Sequence, residues 1–148
     1  MKLTPFKQEY PHTCLPACLR MVLSHLGREH TEAELARVCG SIPFAGTSPE
    51  AAIEGLEQLG YRALWFENAT LERLTSLLEQ NWPVIIFLRA TDLPHGQSGL
   101  HALVLQEIER GQVITLDPAL GKEFRMKLNT FLSIWAKLGN QGMVVWLA

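Results

Sequence analysis

No apolar run in this sequence is long enough to cross a membrane. The longest, such as "PVIIFL" at 83–88, has the length of a strand, against the ~20 residues a spanning helix needs. The N-terminal "MKLTPFKQEY" has no apolar stretch of its own, which argues against a secretory signal peptide. There is no basic block either. Lys and Arg number 13 against 15 Asp and Glu, for a formal net charge of −2, and basic residues do not interleave with aromatics. Nucleic acid would find no electrostatic footprint here. Cysteine is scarce: Cys14, Cys18 and Cys39 make an odd set in a chain long enough to do without disulfides. That usage points to a reducing, cytoplasmic setting. Internal repeats, low-complexity tracts and linkers are also missing.

What is there describes an ordinary globule. The 148 residues are 47% hydrophobic and 19% charged, enough for one domain over 1–148 with a core of its own. The first half, about 13–81, reads as helices. Thr13 or Cys14 opens the first, with Pro16 in the first turn, where its missing N–H costs little, and Gly27 as the stop. Thr31 with Glu34, and Thr47 with Glu50, have capping-box spacing before the second and third helices, which Gly40 and Gly60 end. A fourth begins after Thr70 with Leu71, Leu74, Leu77 and Leu78 on one face. Charged residues along these helices read as a solvated face.

From about 82 to 148 the pattern turns to strands. "PVIIFLR" is a continuous buried run, "HALVLQEI" and "QVITLD" flank the turn "ERGQ", "KEFRMKL" reads as an edge strand and "GMVVWLA" as a closing one. "YRALWF" is a further, alternating strand and "TFLSIWAKL" a short helix. The class is α+β. Trp65, Trp82, Trp135 and Trp146 are expected in the core or at an interface.

Four positions could carry chemistry together. Cys14 sits at a helix N-terminus, where unpaired N–H groups and the helix dipole favour a thiolate. His101 opens the strand "HALVLQ" beside the polar loop "TDLPHGQSG", and Asp117 ends the paired strand, so a hairpin around Arg110 and Gly111 brings them to one end of the sheet. A carboxylate there would fix the tautomer of the imidazole and support its cation. Gln8 precedes Cys14, and its amide with the Cys14 N–H could stabilise an oxyanion. Each position also has a plain reading: a buried structural thiol for Cys14, an Asp-Pro turn for Asp117, a solvated amide for Gln8. His12 is too close to Cys14 to face it across a cleft, His25 and His30 flank the Gly27 turn, and His95 lies in the polar loop.

In the order Gln, Cys, His, Asp, the chain resembles the papain-like cysteine peptidases, and more narrowly the bacteriocin-processing family that cleaves leader peptides after a double glycine. Gln8 and Cys14 match the oxyanion glutamine and nucleophile. "CLPACLRMVLSHLG" is similar to the Cys-Gly-Pro-Ala-Ala opening and its helix, "GTSPEAAIEGLEQLG" to the Gly-Thr-Ser segment, "HALVL" to the His strand and "LDPALG" to the Asp-Pro segment, over residues 8–121. The resemblance implies a papain-like fold with N-terminal helices packed on a C-terminal antiparallel sheet. It implies a Cys14–His101–Asp117 triad with Gln8 in the oxyanion hole, no cofactor or metal, a peptide or protein substrate, and a peptide exporter as partner, here with a free-standing peptidase. Loops 40–48 and 90–99 would wall the cleft, with Gly46, Thr47, Ser48, Gly99 and Leu100 against the substrate. Leu15 stands where that family commonly has a glycine, altering the backbone approach at the cleft floor.

Three other readings stay open on sequence alone. The same triad could pass its acyl group to an amine or thiol, or act on a non-peptide amide. The domain could bind peptides without turnover. Cys14, Cys18, Cys39 and a histidine could hold zinc, at the expense of the helix-start argument.

Overall fold

The structure, a computed structural model, describes residues 1–43 and 45–148. In chain order its elements are α1 (Cys14–His25), α2 (Glu32–Val38), α3 (Pro49–Gln58), β1 (Tyr61–Phe66), α4 (Leu71–Glu79), β2 (Val84–Arg89), a 3-10 turn (Ala90–Asp92), β3 (Leu100–Glu109), β4 (Gln112–Asp117), β5 (Lys122–Lys127), α5 (Leu128–Ala136) and β6 (Gly142–Leu147). No helix among the described residues is long and apolar enough to cross a membrane.

The strands form one sheet in the order β1-β6-β2-β3-β4-β5, with every pairing antiparallel. β5 is an edge, whereas β6, the last strand in sequence, is inserted between β1 and β2. The sheet is covered on both sides. Ile85, Phe87, Ala102, Val104, Leu116, Met143 and Val145 face α1, α2 and α3. Val84, Ile86, Leu88, Leu103, Leu105 and Val113 face α4 and α5, against Leu74, Phe131 and Trp135. This two-sided cover explains why β2 is apolar at consecutive positions and does not alternate. It also refines the expected layering: α4 lies on the face opposite the first three helices, beside α5, and β1 joins the sheet from within the helical half.

Local chemistry sets the helix starts. The Thr31 and Thr70 side chains accept from the backbone N–H of Glu34 and Arg73, the expected caps. The third helix departs from expectation. Its cap is Ser48, accepting from the N–H of Ala51 at 3.1 Å, and Thr47 is bonded to Ser41 through the hydroxyls. With Pro49 at the first helical position, the residue before it must take extended backbone, which makes Ser48 the cap. Gly27, at φ +81°, ends α1 in the left-handed region that costs glycine little.

Two features carry the fold toward the site. α1 packs across β3, bringing Cys14 near the start of that strand. Between β3 and β4 the register shifts between Leu105 and Glu107, so Gln106 is an extra residue in a β-bulge. Val104 pairs with Leu116, which sets Asp117 opposite Leu103. Strand residues alternate sides, so Leu103 and His101 share a face, and Asp117 shares it too. Without the bulge Asp117 would oppose Val104 and point away from His101.

Candidate active site

Cys14 is the first residue of α1, partly exposed, and it lines a cleft of about 650 Å³ with His101 on another wall. Its N–H is among the first of the helix, which have no intrahelical partner. Pro16, in the same turn, adds no N–H of its own. The Nε2 of His101 donates to Asp117 Oδ1 at 2.7 Å, leaving Nδ1 as the ring nitrogen toward Cys14. Asp117 is fully buried, and Oδ1 also accepts from the Ala119 N–H at 2.9 Å. Sequence and structure agree on these three residues as neighbours.

Electrostatics follow from the geometry. Burial alone would favour the neutral His101 ring, but hydrogen bonds with Asp117 and Cys14 and the charge of both outweigh it, raising its pKa to about 9. Burial pushes the Asp117 carboxyl up, and the hydrogen bonds and charge of His101, with His95 and the Ala119 N–H, overcome that and hold it below the ordinary carboxylate range. The other thiols differ in kind. Burial, then the negative charges of Cys14, Asp117 and Glu32, pushes the Cys18 thiol well up, and burial raises Cys39 to about 11. Both sit in the core under α1, so a zinc site built from them would have to unpack it.

The glutamine is anchored but turned inward. The Gln8 N–H donates to the Pro118 carbonyl at 2.8 Å, next to Asp117. Its Nε2 donates to the Tyr10 carbonyl at 2.8 Å, while Oε1 is buried without a partner among the described residues. Gln8 is not in the cleft wall. Of the expected substrate contacts, Gly46, Thr47, Gly99 and Leu100 line the cleft, and Ser48 is spent on capping α3. The 40–48 loop is closed by paired backbone hydrogen bonds between Ile42 and Gly46; its Phe44 lies outside the described residues. Leu15, in place of glycine, is 3% exposed and packs in the core while also lining the cleft floor beside Cys14.

Four neighbours escaped the sequence reading. His12, two residues before Cys14, lines the same cleft. Trp65 forms cleft wall, donating through its indole N–H to Gln141 Oε1. Glu32 is 1% exposed, contrary to the solvated face expected for helix charges. Its Oε2 accepts from the Glu9 N–H at 2.8 Å and lies 3.0 Å from the Thr13 hydroxyl, so α2 grips the segment between Gln8 and Cys14. His95 gives its Nε2–H to Asp117 Oδ2 at 2.6 Å, although its loop setting gave no hint of a partner 22 residues away.

Comparison with known proteins follows the same lines. The Peptidase C39 family matches residues 2–139. No curated protein matches the chain. Among solved structures, a C39-like peptidase from Bacillus anthracis superposes with a TM-score of 0.78 at 17% identity, covering 98% of this chain and 95% of that one. The peptidase domain of Streptococcus ComA, a bi-functional ABC transporter of a quorum-sensing pathway, gives 0.72 at 24% identity, covering 99% and 97%. A double-glycine motif protease from an AMS/PCAT transporter, in complex with its leader peptide, gives 0.75 at 16%, covering 99% and 93%. These structural likenesses establish a shared fold. With the family match running from residue 2 to residue 139 over a thiol at a helix start and a carboxylate-held imidazole, this chain belongs to the Peptidase C39 family of cysteine peptidases.

Proposed function

We propose that the chain cleaves peptide leaders after a Gly-Gly pair, with Cys14 as nucleophile, His101 as acid–base, Asp117 as its orienting carboxylate and Gln8 in the oxyanion hole. The observation that carries this reading is the His101 ring, held on Asp117 through Nε2 while it shares a cleft with Cys14. His101 Nδ1 takes the Cys14 proton. The thiolate adds to the scissile carbonyl, the S–C bond forms, and the oxyanion falls to the Cys14 N–H and the Gln8 amide, one of whose hydrogens is then redirected from Tyr10. The imidazolium gives its proton to the leaving amine as the C–N bond breaks. Water, deprotonated by His101, hydrolyses the thioester and restores the thiol.

Support for the leader specificity comes from the cleft between loops 40–48 and 90–99, which presents Gly46, Gly99 and apolar Leu100, and from the leader peptide bound to the similar AMS/PCAT protease. A peptide exporter is the partner this reading implies, and the free thiols suit action on the cytoplasmic side. The test is hydrolysis of synthetic leader peptides followed by mass spectrometry. Cleavage directly after Gly-Gly is expected, falling at least ~100-fold when the second glycine becomes valine and by roughly 10³-fold or more in Cys14→Ala. Turnover that survives Cys14→Ala would reject the mechanism, and indifference to the valine would reject the leader specificity.

A further inference from the structure

The carboxylate of Asp117 serves two imidazoles, and only one has a role in the mechanism above. Asp117 is 0% exposed, against 10% for the His101 side chain and 19% for that of His95. Oδ1 takes the His101 Nε2–H and the Ala119 N–H, and Oδ2 takes His95 Nε2 at 2.6 Å. An ionised carboxylate only accepts, so both rings must carry a proton on Nε2. Remove His95 and Oδ2 is buried without a donor, free to rotate toward whatever remains.

His95 is itself held firmly. Its ring meets Phe124 of β5 edge-on, with centroids 4.8 Å apart. The loop carrying it is closed by Ala90 N–H to the Gly99 carbonyl at 2.8 Å and Gly96 N–H to the Leu93 carbonyl at 3.1 Å. Gly96 lies so near the Ala90 carbonyl that a Cβ there would come within 1.7 Å of its oxygen. Three and four residues beyond Gly96, Gly99 and Leu100 are cleft wall.

We infer that His95 is a positioning residue: it fixes Asp117 so that Oδ1 stays on His101, and it fastens the 90–99 cleft wall to the triad. The inference rests on the triad assignment and adds to it a second imidazole, whose task is orientation. The titratable groups facing Asp117 are His101 from β3, His95 from the loop, and Cys18 of α1 with Cys14 above it. Of these, His95 alone is bonded to Oδ2.

The experiment compares His95→Asn, polar but too short to reach Oδ2, with His95→Gln, whose amide N–H can. NMR titration of the His101 ring needs no substrate. The Asn variant should bring its midpoint down from about 9 by at least about half a unit, roughly threefold in acid constant, and the Gln variant should restore most of it. Cys14 carboxymethylation at pH 8 gives an independent readout: anionic iodoacetate is drawn by the imidazolium and neutral iodoacetamide is not, so the ratio of their rates should fall in Asn and recover in Gln. A folded Asn variant with an unmoved midpoint and ratio overturns the inference, leaving His95 a loop anchor. A midpoint that rises overturns it too, because His95 would then compete with His101. Should the Asn variant not fold, the unmodified protein decides: nitrogen shifts must show His95 as the Nε2–H tautomer with a slowly exchanging ring proton, and the Nδ1–H form refutes the contact. His101→Ala run alongside separates the two readings. If it leaves Cys14 alkylation unchanged, the triad itself fails; if it slows alkylation while His95→Asn does nothing, only the role of His95 fails.

Discussion

Asp117 decides more at this site than any other single side chain. Its hydrogen bond to the ring of His101 and its buried charge, together with those of Cys14, outweigh the tendency of burial to discharge that ring. Asp117→Asn keeps the size and removes the charge, so the His101 titration should drop from about 9 toward the ordinary range. The asparagine NH₂ would also face rings that offer only donors, inviting His101 to the wrong tautomer. Peptide turnover should fall by roughly 10²–10⁴-fold, the usual contribution of a positioned acid–base, with substrate affinity little altered. Steady-state kinetics on a cleaved peptide, beside the NMR titration, check both. Cys14, His101 and Asp117 were legible in the sequence because each stands at an element boundary with its own signal: a helix start, a strand after a polar loop, an Asp-Pro turn. His95 was not, since a histidine among Pro, Gly and Ser looks the same whether it meets water or a carboxylate from another strand.

At the scale of elements, α2 clamps the segment that leads into α1. Glu32 accepts from the Glu9 N–H and stands within reach of the Thr13 hydroxyl, so the backbone between Gln8 and Cys14 is tied to a neighbouring helix. Burial raises the carboxyl of Glu32, partly opposed by those same hydrogen bonds. Glu32→Ala leaves the Glu9 N–H without its acceptor, while the Thr13 hydroxyl keeps the Tyr10 carbonyl, and should cost about 1–3 kcal/mol; Glu32→Gln retains an acceptor oxygen and should stay close to wild type. Urea melts at neutral pH measure the difference. If alanine and glutamine cost the same, the clamp is not a hydrogen-bond effect. A second element-scale device is the Gln106 bulge. Besides turning Asp117 toward His101, it places the Gln106 side chain to accept from the Leu3 N–H at 2.7 Å, so one irregular residue both sets the strand register and anchors the N-terminal segment that carries Gln8.

For the whole molecule, the same titrations shape stability against pH. A folded-state pKa of about 9 for His101 means that the fold binds this proton more tightly than the unfolded chain does. That stabilisation is complete below about pH 6.5 and is lost as pH rises through about 9. The depressed carboxyl of Asp117 acts at the other end: its contribution is present above the ordinary carboxylate range and lost as pH falls through its lowered value. Denaturant unfolding should therefore show wild type weakening between about pH 6.5 and 9, by roughly 1.4 kcal/mol for each unit that His101 is displaced. Asp117→Asn should flatten that slope, and an equal slope in both proteins would dissociate it from the His101–Asp117 pair.

The sequence by itself determined the class of structure and singled out Cys14, His101 and Asp117, which the fold brings together. Periodicity, caps and glycine stops are read over a few neighbours, and a nucleophile at a helix start is a local arrangement. Tertiary structure alone decided that α4 crosses to the far face of the sheet, that β6 slots between β1 and β2, and that Glu32 and His95 find buried partners. It also decided that Asp117 faces His101, because strand sides alternate and one extra residue at Gln106 reverses them. The physical reason is common to all of these. Each is a contact between segments far apart in the chain, chosen by which surfaces remain to be buried once the local elements have formed.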